Sequence, residues 1–241
     1  TLDRAMRVIE ILIDRKPGIP YSKDNPLVVE LDKGEHQITS SWTSDGGNRL
    51  TTLGITRSNI TFLGKGKDTT TILGGFGIRD LENITFKEMT VANYSIEGAQ
   101  LSGDDIHMCN AKVELIDLSL KGSNFFALYV SPSTSETTVV ATRCEFANSQ
   151  YGAVVYGSLT SATFKNCVFH DNSNEGIDAY DKATIHLHGE ATAIHSNGRR
   201  GILAASAAKV FIHLPSRHNT CYNNGQDDRL ECGGTITNVE D

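Results

Sequence analysis

The sequence predicts an all-β solenoid, a parallel β-helix with three short strands per coil and an α-helical cap at its N-terminal end. The main observation is that residues 138–206 state one pattern three times: TVVATRCEFANSQYGAVVYGS (138–158), SATFKNCVFHDNSNEGIDAYDKA (161–183) and TIHLHGEATAIHSNGRRGILAAS (184–206). Each version holds an alternating apolar strand, a second apolar strand, a polar turn containing Asn, then Gly and a third apolar strand. The anchors also recur at nearly constant spacing. Cys144 to Cys167 and Phe146 to Phe169 are 23 apart, while Asn172 to Asn197, Gly176 to Gly201 and Ile177 to Ile202 are 25 apart. Strands this short cannot bury a face alone, so coils of this length must stack to share a core. Finally, no repeat shows the i, i+3, i+4 period of a helix pair, and the Leu/Asn consensus of leucine-rich repeats is absent.

In chain order, residues 2–15 place Leu2, Ala5, Met6, Ile9, Leu12 and Ile13 on one helical face, and Pro17-Gly18 ends the pattern. A solenoid exposes the end of its core, and this helix is expected to cap it. Its mixed Asp, Glu and Arg face lacks the basic bias of a membrane-surface helix. The coils are expected to run over 27–236. LVVELDKGEHQITSSW (27–42) supplies two strands around Asp32-Lys33-Gly34, and NITFLGKGKDTTTILGGFGI (59–78) repeats the form. The glycines at 64, 66, 74, 75 and 77 are read as turn residues, because neither a Walker spacing nor a helix start follows them. Residues 83–101 and 112–130 form further coils, SPSTSET (131–137) is a polar bulge, and 209–236 is the last coil before a tail, 237–241. The whole is read as one β-helix domain, 1–241, because solenoids grow as a single stack. Pro215, the charged loop at 222–231 and the acidic tail are expected to blunt the exposed sheet edge.

Strand alternation sends Ile177 and Ala179 inward and Asp178 and Tyr180 outward. The inner ladders are then Ala153, Ile177, Ile202 and Val155, Ala179, Ala204. Asn172 and Asn197 are expected to form an amide ladder that satisfies turn backbone.

Composition narrows the function classes. A net charge of −7 argues against a nucleic-acid partner, which needs a basic face. No apolar run approaches a membrane span. None of the five cysteines lies in a C-x-x-C pair. Cys144 and Cys167 are read as stacked, buried thiols, and Cys221 with Cys232 as a plausible disulfide if the protein is secreted. Three glycosylation sequons, at Asn59, Asn83 and Asn93, support a secreted or extracellular location.

The Phe-x-x-x-x-x-Gly-type coils and the ending KVFIHLPSRHNTCYNNGQDDRLECGGTITNVED (209–241) resemble the right-handed parallel β-helix proteins of the pectin-lyase type. Within that group the chain looks most like uncharacterised members from marine microalgae and their large viruses. The resemblance implies a right-handed fold and leaves the activity open. Locally, Glu175-Gly176-Ile177-Asp178-Ala179-Tyr180-Asp181 is similar to the catalytic strand of mannuronan C5-epimerases, Tyr-Gly-Phe-Asp-Pro-His-Asp. Gly176, Asp178 and Asp181 match. Glu175 stands at the family's Tyr, Ala179 at its Pro and Tyr180 at its His, a residue used there in proton transfer.

Abstraction beside a uronate carboxylate needs a base, an acid, and a cation to neutralise the carboxylate. Asp178, Tyr180 and His170 are the candidate catalytic residues; Tyr129, Tyr156, Asp181, Lys182 and Arg199 are the candidate substrate-binding residues. Aligning Gly152 with Gly176 sets Tyr156 beside Tyr180, with Tyr129 near the same line one coil earlier. Coils about 4.8 Å apart would make these tyrosines a strip on which sugar rings lie. The carboxylate pairs Asp104-Asp105 and Asp227-Asp228 would lie many coils apart, and the Gly-His-Gly and Arg-Ile-Lys elements of polygalacturonases are absent, which argues against hydrolysis. No cofactor is expected, with Ca²⁺ held by Asp171, Asp178 and Asp181 as the one open option.

His186 and His188 share a strand face, and aligning Ile185 with Ile212 would stack His213 on His186. No metal centre is expected there, since Gly189 interrupts the strand; the face is read instead as weakly basic and titrating near pH 6.5, enlarged by Arg199-Arg200 and Arg217-His218. The leading functional expectation is binding or modification of an acidic polysaccharide. The competing one is a non-catalytic structural or recognition solenoid.

Overall fold

The computed structural model describes residues 1–14, 21–43, 49–93, 103–214, 218 and 220–239. The Pro17-Gly18 stop, Tyr94-Ser95 of the third sequon, Pro215, Arg217 and Glu240-Asp241 lie outside the described residues. The fold is an all-β right-handed parallel β-helix with one N-terminal helix, Leu2–Asp14. Each coil contributes one strand to each of three sheets. A first sheet of nine strands runs from Leu27–Glu30 to Thr235–Asn238, and a second of eight runs from Gly34–Gln37 to Cys221–Tyr222. A third of nine runs from Ser41–Thr43 to Arg229–Cys232. Among the described residues the strands pair in parallel except Ser41–Thr43 with Arg49–Gly54, which are antiparallel, as is the isolated bridge between Ala205 and Gly233.

The repeat unit folds as its pattern requires. In one coil Thr160–Lys165, Val168–His170 and Ile177–Tyr180 occupy the first, second and third sheets. Chain direction changes at residues in the left-handed region, such as Asn166 (φ 53°), Asp171 (φ 53°) and Asp181 (φ 49°). Asn and Asp tolerate that region better than other non-glycine residues, which is why they recur at the corners. Gly176 and Gly201 serve a different need, close approach. A Cβ at Gly201 would lie 2.0 Å from Cys221 Sγ and one at Gly176 2.7 Å from Asn197 Nδ2.

Inside, the ladders form as alternation demands. Ala153 pairs with Ile177 and Ile177 with Ile202, and Val155, Ala179 and Ala204 align likewise. All six are buried. Phe146 stacks on Phe169 with ring centroids 4.6 Å apart, and Phe164 meets Phe169 edge-on at 5.0 Å. Cys144 and Cys167 are buried free thiols within this core, as expected. Cys221 and Cys232 are also free: Cys221 is buried on the second sheet and Cys232 exposed on the third, so the proposed disulfide is not formed.

The amide ladder extends beyond the expected pair. Asn172 Nδ2 donates to Asn197 Oδ1 at 2.9 Å, and Asn197 Nδ2 to Asn224 Oδ1 at 2.9 Å. Asn197 also donates to the Phe169 carbonyl and accepts the Asn172 backbone amide. Each buried group left unsatisfied costs about 1–3 kcal/mol. Asn197→Ala is therefore expected to destabilise the protein by about 2–4 kcal/mol in denaturant unfolding, and a loss under 1 kcal/mol would show that water replaces the ladder.

The helix closes the first coils. Leu2 and Met6 are buried, and Ile9 packs partly against the core, whereas Ala5 is exposed because the buried stripe is narrower than its period implies. Asp3 fixes the cap by accepting the backbone amides of Thr39 (2.8 Å) and Ser40 (2.9 Å). At the other end, Arg229 and Glu231 occupy positions in register with the inward-facing Ile202 and Ala204. Inward charge of this kind blunts a sheet edge.

Register departs from expectation at one place that matters later. Ile185 pairs with Val210 and Leu187 with Ile212, so His213 is in register with His188, while its ring still stacks on His186 with centroids 5.2 Å apart. The strand Thr184–His188 also ends before Gly189, which does not interrupt it.

Candidate functional site

The outer face of the third sheet carries the sequence-derived candidates. His107, Tyr129, Val154, Asp178, Leu203 and Leu230 follow one another coil by coil in one column. Tyr156 and Tyr180 stand in register in the next column, their rings 6.1 Å apart and nearly parallel, as expected. Tyr129 belongs to the Asp178 column, two residues from the anticipated line. There it meets the His107 ring edge at 4.9 Å and Phe126 at 4.8 Å, and Phe126 in turn meets Tyr151 at 5.2 Å. The strip is thus longer and more aromatic than the three expected tyrosines.

Asp178 points outward yet is only 5% exposed. Val154 and Leu203, the apolar residues above and below it in the column, are also buried. Its Oδ1 is buried without a hydrogen-bond partner among the described residues. Burial first, then the negative charge of Glu175, pushes its pKa up to about 7, against the pull of Arg200 and Arg199. Glu175, 2% exposed, is held by Arg200 Nη1 at 2.9 Å and Arg199 Nε at 3.7 Å. Burial, together with Asp178 and Glu175, raises the Tyr180 phenol, which therefore stays protonated at neutral pH.

Several candidates lie apart from this group. His170 sits on the second sheet, around a corner from Asp178, and is clamped between Glu145 (2.9 Å) and Asp171 (2.7 Å). Burial lowers its pKa, but those two carboxylates outweigh it and hold the pKa above the usual value. Asp181 and Lys182 form an exposed left-handed turn after Tyr180. Of the three aspartates considered for Ca²⁺, Asp171 is paired with His170 at 2.7 Å, Asp178 is buried and Asp181 is exposed. Asp104 binds His107 Nδ1 at 3.0 Å, and the wholly buried Asp105 accepts the Asn93 amide, so that pair is structural. Asn93 is buried, with its Nδ2 donating to the carbonyls of Thr51 and Asp104. That amide is closed to glycosylation.

Sequence reasoning missed the Glu175 clamp and the roles of His107, Phe126 and Tyr151. The clamp had a signal: Arg200 follows Glu175 by 25 residues, the same interval that separates Gly176 from Gly201.

The model of the right-handed β-helix region matches residues 34–191 and 104–239. The chain belongs to that family. Among solved structures, this β-helix is similar to the A-module of Azotobacter vinelandii mannuronan C-5 epimerase AlgE4, at 15% identity and a TM-score of 0.41, over 90% of this chain and 81% of that one. It is also similar to ORF18 of Geobacillus virus E2, at 10% identity and a TM-score of 0.44, over 88% of this chain. The β-helix spans about half, 52%, of ORF18. No curated protein matches the sequence.

Chemically, a carboxyl with a pKa near 7 gives and takes protons near neutrality, and an elevated, desolvated carboxyl beside specific charges is a mark of functional sites. The neutral phenol of Tyr180, two residues along the same strand face, is a proton donor.

Proposed function

We propose that the β-helix binds an acidic polysaccharide along the outer face of the third sheet, with Asp178 as the group that exchanges a proton with it. The observation that carries this reading is the buried Asp178, whose Oδ1 has no hydrogen-bond partner among the described residues, set in a face lined with Tyr129, Tyr151, Tyr156 and Tyr180. Aromatic rings in successive coils match flat sugar rings laid lengthwise. Arg199, with its side chain half-exposed at the edge of the strip, supplies a cation for a uronate carboxylate. As a base, Asp178 would take the proton from C5 beside that carboxylate. The Tyr180 phenol, on the same side of the sugar as the base, would donate to the glycosidic oxygen as the C4–O bond breaks and the C4–C5 double bond forms. The similarity of residues 175–181 to an epimerase strand points to the same substrate class. Such a ligand implies a protein exported to meet it.

The test is a screen of polyuronates and sulfated algal glycans. Unsaturated products are followed by ultraviolet absorbance, C5 inversion by proton NMR and binding by calorimetry. Loss of turnover in Asp178→Asn would establish the base. Tyr180→Ala is expected to weaken binding about 2- to 10-fold, the worth of one ring contact. A chain that neither turns over nor binds any of these glycans would leave the structural solenoid reading.

A further inference from the structure

We propose that His186, His188 and His213 form a binding site for a divalent transition-metal ion of the zinc type on the outer face of the first sheet. This is independent of the glycan reading, because the site lies on a different sheet from Asp178.

His186 and His188 are two apart on the strand Thr184–His188, so both imidazoles project from one face. The parallel neighbour Lys209–His213 brings its last residue into register with His188. Three imidazoles from two adjacent strands thus converge, with a ligating nitrogen from each lying within 4.8 Å of the others. His186 Nδ1 and His213 Nε2 are 2.9 Å apart, and the rings of His188 and His213 stack with centroids 4.1 Å apart.

Two nitrogens each about 2.0–2.1 Å from a tetrahedral zinc ion stand about 3.3 Å apart. The observed separation of 2.9 Å and the limit of 4.8 Å bracket that value, so side-chain rotation alone reaches ligand geometry. Phe211 lies face to face with His186 at 5.1 Å and limits how far that ring turns.

The donor set selects the ion. Neutral imidazoles suit Zn²⁺, Cu²⁺ and Ni²⁺, whereas Ca²⁺ and Mg²⁺ require oxygen donors that this cluster lacks. Three protein ligands leave a fourth position for water or an anionic oxygen, as in zinc sites that do chemistry. Lys165, in register with His188, opposes a dication. Its side chain is exposed and screened by solvent, so the expected affinity is micromolar, not nanomolar.

The test titrates the metal-stripped full chain with zinc chloride by calorimetry and follows the histidine ring signals by NMR. One zinc per chain is expected, with the ring signals of His186, His188 and His213 shifting together. Each of His186→Gln, His188→Gln and His213→Gln should weaken binding more than about 10-fold, since even an outer partner of a ligand is worth that much. His195→Gln, which alters the separate His170–His195 stack on the second sheet, should leave zinc binding unchanged. No saturable binding, binding equal in all variants, or ring signals that stay still in the wild-type protein would each overturn the assignment.

Discussion

Asp178→Asn is expected to stabilise the β-helix by about 2–4 kcal/mol at pH 8 and, on the proposed function, to abolish proton exchange with the glycan. The folded-state pKa of about 7 stands above the ordinary 3.8, so between those values the folded chain holds a proton that the unfolded chain has lost. Stability from this group is fully present below about pH 4 and falls as pH rises through 7. At 1.36 kcal/mol per unit the difference amounts to at most about 4 kcal/mol. Asparagine has the same shape and no charge to desolvate, so the variant should match the wild type below pH 4 and exceed it above pH 7. The expected rise in Tm at pH 8 is roughly 4–16 °C. The fully buried Asp105, also raised by burial, adds a slope of the same sign that persists in both proteins. Denaturant unfolding from pH 4 to pH 8 checks this, and parallel profiles for the two proteins would contradict an elevated Asp178. A carboxylate kept at such a cost to stability is what a functional site looks like.

Phe169→Ala should produce the largest loss, about 3–5 kcal/mol. Phe169 is fully buried, stacks on Phe146 of the preceding coil and meets Phe164 edge-on. Its ring also lies beneath Gly152, where a Cβ would come within 3.2 Å of it. Little nearby can collapse into the space, because strand spacing holds the coils apart. Solenoid stability is the sum of coils and the contacts between neighbours, so the loss falls on the joint between the coils carrying Phe146 and Phe169. Native-state hydrogen exchange should show the amides of 184–214 opening at lower free energy than those of 60–92. Uniform weakening along the chain would mean that the stack unfolds only as one unit. Phe169→Leu, which refills most of the volume, should recover more than half of the stability.

Whatever depends only on the period of two was legible in the sequence. The three-strand coil, the ladders through Ile177 and Ala179, the Tyr156–Tyr180 pair and the Asn172–Asn197 ladder all follow from alternation and the spacing of 23 to 25 residues. Two backbone registers are offset from the simplest alignment: His213 pairs with His188, although its ring also stacks on His186, and Tyr129 stands in the column of Asp178, not that of Tyr156. Each is a slip of two residues. A slip of one would turn every apolar side chain outward, whereas a slip of two leaves the buried pattern intact, so hydrophobicity cannot choose between such registers. Turn length and the fit of successive coils make that choice, and they exist only in the folded stack.

The burial of Asp178 is of the same kind. Alternation correctly sent it outward, but in the folded stack it is only 5% exposed, between the buried Val154 and Leu203 of its column. By itself the sequence determined the coil and the direction of each side chain. Where the repeat spacing did not name the partner, only the tertiary structure decided which side chains from different coils meet, because the pattern fixes register modulo two residues and is blind to slips of two.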